Sequence, residues 1–560
     1  MSKNTLVWLT SMAAANAPAM AAAEKGTTDK PDGKRPNVLV IMADDMGWSD
    51  VGAFGGEIDT PNLDALAEAG VRFTSFQVSP YSSPSRAMFL TGADPHRVGV
   101  GNLYELNKPE QAGSPNYAGH FNDQALTVAQ RLQAAGYFTV MSGKWHLGKD
   151  EAHAPSRWGF DRSFAMLNGE ANHFPFKDGY PSPDGKDLYR IEGKLADVPA
   201  GFYSSDGFTD YLLKALDEKA ADQPFFAFLG FTAPHSPLQA PPEDIDKYDG
   251  QYLDGPQVLA ERRLKQIEKL KLLPDNHPLK AHALLNMPDW DKLSKDEQRD
   301  EARRMQIYAA MIDRMDQNIG RVLDHLKKKQ LLDDTVVFFM SDNGAAGASR
   351  EKSKKWGKWI ADNRDNAYDN MGTGSSYVST GPAWAQASMS PFALFKGFTS
   401  EGGIRSPLIV SGPGVAKGGI EGGYVNLYDL VPTLLDLTKT GKRTPAGKAG
   451  LDGTSVVAAL QSPNRAARGP EKPVSLELRG GRQVRQGNYK AVYLSNEPMG
   501  IKSPDIANGR WQLFDVIADP GETRDLSAEK PELLKSLIGH YRDYAKQVGV
   551  IEVAPVEFYP

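Results

Sequence analysis

Four short apolar runs in this chain each stop abruptly at polar residues, and that repeated arrangement constrains the fold more than any other feature. Asn37–Ala43 runs into Asp44-Asp45, and Tyr137–Met141 into Ser142-Gly143-Lys144-Trp145-His146. Phe225–Phe231 runs into Thr232-Ala233-Pro234-His235, and Thr335–Met340 into Ser341-Asp342-Asn343-Gly344. A continuous apolar run of this length is the pattern of a strand buried on both faces. Helical patterns lie between the runs: Thr60-Pro61 opens one, Leu126–Ala135 forms another, and Tyr308–Leu326 carries Tyr308, Met311, Ile312, Met315, Ile319, Val322, Leu323 and Leu326 on one face. Strands alternating with helices predict an α/β domain with a large, mostly parallel sheet sandwiched by helices. In such sheets ligands bind at the carboxyl ends of the strands. The four polar termini are therefore expected to converge. Further strands are expected at Val71–Phe76 and Ile404–Val410, and Asp150–Asp206 reads as long surface loops.

The tail differs. Val474–Leu478, Tyr489–Leu494 and Trp511–Phe514 are short strand-like pieces, followed by a helical pattern over Pro531–Gln547. They predict a smaller C-terminal α+β domain with an antiparallel sheet over residues 446–560, after the α/β domain over 36–445 that carries the converging strand ends. At the other end, Lys3 precedes Leu6-Val7-Trp8-Leu9 and an alanine-rich stretch reaching Ala23, which reads as a cleavable export signal over residues 1–23. Thr10, Ser11, Asn16 and Pro18 interrupt it, so it makes a poor permanent membrane anchor. Residues 24–35 read as a linker.

Composition removes several kinds of chemistry. The chain has no cysteine, which excludes disulfides, thiolate metal sites and a cysteine nucleophile. A formal net charge of −6 without a long basic run gives no sign of nucleic-acid binding. What remains at the strand ends is oxygen and nitrogen. Asp44, Asp45, Asp342 and Asn343 offer only oxygen ligands, which suit a hard cation such as Ca²⁺ or Mg²⁺; each pair taken alone is equally a turn sequence. Lys144, His146, His235 and Lys396 add cationic or proton-transferring groups. Ser79–Gly92 runs from a hydroxyl-rich, proline-broken loop into an apolar helix, with Ser82 at its start and Arg86 about one turn on. Together these residues describe a pocket for a small, strongly charged anion beside a metal. The chemistry is transfer of a sulfuryl or phosphoryl group.

The same residues carry a family resemblance. Ser82-Ser83-Pro84-Ser85-Arg86 matches the sulfatase signature [Cys/Ser]-x-Pro-Ser-Arg, and Gly143-Lys144-Trp145-His146-Leu147-Gly148 matches the second sulfatase signature. Asp44-Asp45-Met46-Gly47 and Ser341-Asp342-Asn343-Gly344 look like the family's metal motifs, and matches run from about Pro36 to Asp525. The chain resembles bacterial arylsulfatases of the type I, formylglycine-dependent family, in the alkaline phosphatase superfamily. The resemblance implies an alkaline phosphatase-like fold, a periplasmic enzyme delivered by the export machinery, and an aryl sulfate ester as substrate. It implies that Ser82 is oxidised to formylglycine (3-oxoalanine) by a radical-SAM iron–sulfur maturase, and that the hydrated aldehyde attacks sulfur. It further implies one Ca²⁺ held by Asp44, Asp45, Asp342 and Asn343 and touching the modified Ser82. Arg86 and Lys144 would stabilise the nucleophile, His146 would act as base for sulfate release, and His235 and Lys396 would bind sulfate and assist the leaving alcohol.

Serine at position 82 departs from the cysteine form of the signature. Rival readings are a phosphatase using Ser82 directly, a phosphonate or phosphate ester hydrolase of the same superfamily, and a non-catalytic metal-binding protein should Ser82 stay unmodified. A phosphatase would normally need a second metal and more histidine ligands, yet Asp342 is followed by Asn343. Tyr104 and Trp384 are candidates to flank an aryl group, although aromatic residues more often serve packing.

Overall fold

The computed structural model describes residues 35–553 except 177–184, 275–288, 465–467 and 496–508. The export signal over 1–23 and the linker up to residue 34 lie outside the described residues. The strands in chain order are β1 (Asn37–Ala43), β2 (Gly70–Phe73), β3 (Phe76–Gln77), β4 (Phe138–Lys144), β5 (Arg162–Met166), β6 (Tyr189–Ile191), β7 (Lys194–Ala196) and β8 (Phe225–Gly230). They continue with β9 (Thr335–Ser341), β10 (Leu408–Ser411), β11 (Gly419–Glu421) and β12 (Val425–Asn426), then β13 (Val474–Leu478), β14 (Gly481–Gln486), β15 (Tyr489–Tyr493) and β16 (Trp511–Asp515). Ten of them form one sheet in the order β11-β2-β10-β9-β1-β8-β4-β5-β6-β7. Its centre, β9-β1-β8-β4-β5, is parallel throughout. Strands β13 to β16 form a separate antiparallel sheet.

The central strands are buried on both faces. Leu39, Ile41 and Ala43 of β1 pack into one core cluster, while Val38, Val40 and Met42 pack into the other. Each fully buried side chain of this kind contributes roughly 1.5–3 kcal/mol relative to exposure. The helix Lys295–Lys328 covers the first face, with Tyr308, Met311, Ile312, Met315, Ile319, Val322 and Leu326 buried. It starts well before the apolar stripe from which it was predicted, because Ser294 and Glu297 close a capping box at its N-terminus. The helix Ser82–Thr91 lies on the second face, burying Ala87, Met88, Phe89 and Leu90.

Several expectations need correction. Val71–Phe76 is not one strand: β2 joins the large sheet, the chain bends at Thr74-Ser75, and β3 pairs with β12. Ile404–Val410 likewise divides, since Glu401–Ile404 is a short helix and β10 begins only at Leu408. Pro407 has no N–H to give a ladder, which sets that start. Asp150–Asp206 is not all loop, because it contains β5, β6 and β7. Strand β14 has no strand pattern in the sequence. Its sequence Gly-Arg-Gln-Val-Arg-Gln has one apolar residue, yet Gln483 and Arg485 are buried, with Arg485 stacked 4.3 Å over Tyr424.

The small sheet meets the rest of the chain through a buried imidazole. His96 lies between Asp94 (Nδ1 to Oδ1, 3.0 Å) and Glu477 on β13 (Nε2 to Oε2, 3.2 Å), and Tyr544 donates to Asp94 at 2.8 Å. Burial disfavours the imidazolium, but the hydrogen bonds and charges of the two carboxylates outweigh it and push its pKa up to about 9. A raised folded-state value gives stability that is fully present below the unfolded value near 6.5 and is lost as pH rises through about 9. We therefore expect His96→Gln to lower the melting temperature clearly at pH 6 and much less at pH 10. Equal losses at both would show that the pairing carries no charge.

Candidate active site

The parallel register brings the polar strand ends together. β1 and β9 run level from Asn37 opposite Thr335 to Ala43 opposite Ser341. One residue further, Asp342 N–H donates to the Ala43 carbonyl (3.1 Å) and Asp44 N–H to the Ala233 carbonyl (3.0 Å). Asp44, Asp45, His235, Asp342 and Asn343 thus lie in the segments that leave the carboxyl ends of three neighbouring strands, and Lys144 ends the fourth. Gly143 allows this last approach. Its φ is +115°, and a Cβ there would lie 1.8 Å from the Gly230 carbonyl oxygen on β8.

Ser82 stands at the middle of the group. Its Oγ donates to Asp44 Oδ1 (3.2 Å) or Asn343 Oδ1 (3.3 Å), and Lys144 Nζ lies 3.3 Å away. It is the first helical residue; the N-cap is Tyr81, whose side chain makes no capping hydrogen bond. The hydroxyl is thus turned to the strand-end residues and away from the helix's own N–H groups. Arg86 is fully buried, donating to Asp342 Oδ2 (2.9 Å) and the Lys144 carbonyl (2.8 Å). Lys144 pairs with Asp44 Oδ2 at 2.6 Å. Lys396 pairs with Asp45 Oδ1 at 2.5 Å, and Asn343 Nδ2 donates to the same oxygen at 2.7 Å. The other oxygen, Asp45 Oδ2, is buried and accepts no hydrogen bond among the described residues, with His235 Nε2 3.4 Å away. All the candidate catalytic and metal-binding residues are brought to this cluster except His146, which stands beside it against Glu105.

The electrostatics are those of a crowded carboxylate site. Burial pushes Asp44 up to about 7; Lys144 opposes that shift, and the charges of Asp342 and Asp45 add to it. Burial also raises Asp45, but Lys396 and His235 overcome it and hold the group below the ordinary carboxylate range. Burial pulls Lys144 below its ordinary value against the attraction of Asp44, and pulls His235 well below 6.5 against Asp45. Asp44, Asp45 and His235 can point ligand atoms within 4.8 Å of one another, with Asp342 and Asn343 adjoining. An unpartnered carboxylate oxygen in a set of buried oxygen donors fits a hard divalent cation.

Two supports have no signal in the sequence. Glu105, in the short 3₁₀ turn Tyr104–Leu106, meets His146 Nε2 at 3.0 Å. His173 holds the His235 carbonyl through Nε2 (2.9 Å) and meets Ser204 Oγ through Nδ1 (2.7 Å). Both lie in stretches without periodicity, so only the fold shows them. Of the aromatic candidates, Trp384 is fully buried against Tyr252 and Trp290 and serves packing, whereas Tyr104 is 71% exposed.

An oxygen-lined cation site, a buried hydroxyl and three cations around it are the arrangement expected for hydrolysis of an anionic ester. Residues 36–440 match the Sulfatase family model. The chain is 40% identical over 551 residues to an uncharacterized sulfatase of Schizosaccharomyces pombe, covering 94% of this chain and 96% of that one. It is 38% identical over 411 residues to an arylsulfatase of Klebsiella aerogenes, covering 72% and 86%. The crystal structure of Ps i-CgsB superposes with a TM-score of 0.64 at 25% identity, covering 94% and 95%. Fold, site and sequence agree, and the chain belongs to the sulfatase family as a sulfuric ester hydrolase.

Proposed function

We propose that this enzyme is an exported arylsulfatase, hydrolysing an aryl sulfate to a phenol and sulfate, with Ser82 matured to formylglycine. The observation that carries the reading is the position of Ser82 Oγ, within 3.3 Å of Asp44, Asn343 and Lys144 at once. Similarity to the Klebsiella aerogenes arylsulfatase supports the aryl leaving group. The N-terminal stretch supports export to the periplasm, with cleavage after the alanine run. The maturase would be a radical-SAM iron–sulfur enzyme acting on the unfolded chain before export.

Calcium would be held by Asp44, Asp45, Asp342 and Asn343, and when bound it neutralises charge on the sulfate and on the modified side chain. The chain's own residues do the rest. Arg86 and Lys144 fix the nucleophilic side chain and offset its negative charge. Lys396 and His235 lie against the two oxygens of Asp45, and from there they would hold the sulfate and protonate the departing phenolate oxygen. His146 would take the proton of the remaining hydroxyl; that O–H pair becomes the new C=O bond as the C–O bond to sulfate breaks.

The test is a mass spectrum of the tryptic peptide Phe73–Arg86 from protein made in its native host. A peptide lighter by two hydrogens at Ser82, trapped by an aldehyde reagent, is the expected result. Unmodified Ser82 in fully active protein would instead establish direct serine chemistry, as in a phosphatase.

A further inference from the structure

His146 is a base whose two ring nitrogens have different surroundings. Nε2 lies 3.0 Å from Glu105 Oε1, while Nδ1 is buried and has no hydrogen-bond partner among the described residues. The residue is only 8% exposed, and its backbone is left-handed at φ +55°, a conformation uncommon for anything but glycine. Strain of that kind persists only where surrounding structure enforces it. The charged groups acting on the ring are Glu105, Lys144 and Arg86. Glu105 is the sole carboxylate among them. Its own side chain is about half exposed, on a turn that belongs to neither the strands nor the site helix.

From this geometry we infer that Glu105 is a positioning residue: it holds the ring proton of His146 on Nε2, so that Nδ1 keeps the lone pair needed to accept a proton. The inference rests on the role given to His146 above. A carboxylate can only accept a hydrogen bond, so the nitrogen facing it must carry hydrogen. A neutral imidazole carries one such hydrogen, which leaves Nδ1 bare. The same logic orients the histidine of hydrolase triads, where loss of the carboxylate leaves the imidazole in the wrong tautomer.

Gly169 gives an independent handle on the pair. A Cβ at Gly169 would lie 2.8 Å from His146 Cε1, 2.9 Å from His146 Nε2 and 3.0 Å from Glu105 Oε1. Gly169→Ala would therefore wedge the contact apart without deleting either partner.

Two measurements on matured, calcium-loaded enzyme test this. The first is the ring ¹⁵N spectrum of histidine-labelled protein, with His146 assigned by loss of its signals in His146→Gln. The wild type should show a protonated Nε2 and a bare Nδ1, and Glu105→Ala and Gly169→Ala should both lose that single tautomer. This readout does not need turnover, so it stands even if the sulfate-ester reading fails. The second is steady-state hydrolysis of 4-nitrophenyl sulfate against pH. Glu105→Ala should lower kcat by about 10²-fold with KM nearly unchanged. Glu105→Gln, whose amide oxygen still accepts from Nε2–H, should recover most of that loss. Its acid limb should move to lower pH, because Glu105 favours the protonated ring. A wild-type His146 with hydrogen on Nδ1, or a Glu105→Ala enzyme with unchanged tautomer and kcat, would overturn the inference. So would a rise in KM alone, which would make Glu105 a substrate contact. Failure of the wild type to hydrolyse the ester would remove the arylsulfatase reading and leave the tautomer result to decide this one.

Discussion

Asp342→Ala is expected to abolish calcium binding and turnover together, and to destabilise the protein by about 3–5 kcal/mol. The two effects have separate causes. Asp342 supplies oxygen to the cation site, and its Oδ1 also receives the Asp45 N–H at 3.3 Å. Its Oδ2 is the carboxylate partner of the fully buried Arg86 guanidinium. Removing one member of a buried pair strands the other charge without solvent, which is the costly direction of such a change. Calorimetric titration with calcium, a thermal melt and an aryl sulfate assay read the three consequences. Tight calcium binding by the variant would remove the metal assignment, and an unchanged melt would show that the Lys144 carbonyl alone satisfies Arg86.

Ser82→Ala should leave stability nearly unchanged while removing activity just as completely. The hydroxyl is the nucleophile or its precursor, so turnover should fall by at least ~10⁴-fold, the scale on which single members of covalent machinery fail. The fold should hold, because alanine suits the first turn of the helix and the loss is one hydroxyl whose partners Asp44, Asn343 and Lys144 keep other polar contacts. Melting temperature and calcium affinity are the controls. Activity in this variant above a tenth of wild type would end any covalent role for position 82.

Much of this site was legible because it is written at strand ends. A strand buried on both faces is a solid apolar run, so the polar segment that follows it marks the end of the strand at which ligand-binding groups collect. Asp44, Lys144, His235 and Asp342 all lie in such segments, within five residues of the run's end, and are found without any contact information. That rule fails where polar side chains are buried with partners of their own: β14 hides Gln483 and Arg485 inside, Arg485 bonding to the Ser75 hydroxyl and the Gly487 carbonyl and stacking over Tyr424, and no period of two survives. It fails again for supports that come from irregular loops. Glu105 reaches His146 across 41 residues of chain and His173 reaches His235 across 62, distances over which local pattern carries nothing. The helix start at Ser82 is legible, but the pattern of residues alone does not separate a capping hydroxyl from a reacting one, because both chemistries use the same residue type in the same place.

The two hydrogen bonds that carry the ladder one residue beyond β1 and β9, Asp342 N–H to Ala43 and Asp44 N–H to Ala233, tie the floor of the site to the most deeply packed part of the molecule. Amide protons there can exchange with solvent only when the central sheet itself opens, whereas those of the Tyr104–Leu106 turn need only a local excursion. The ligands are thus as durable as the fold, and the groups that tune the base are free to breathe. Deuterium uptake should divide the site accordingly, fast above and slow beneath.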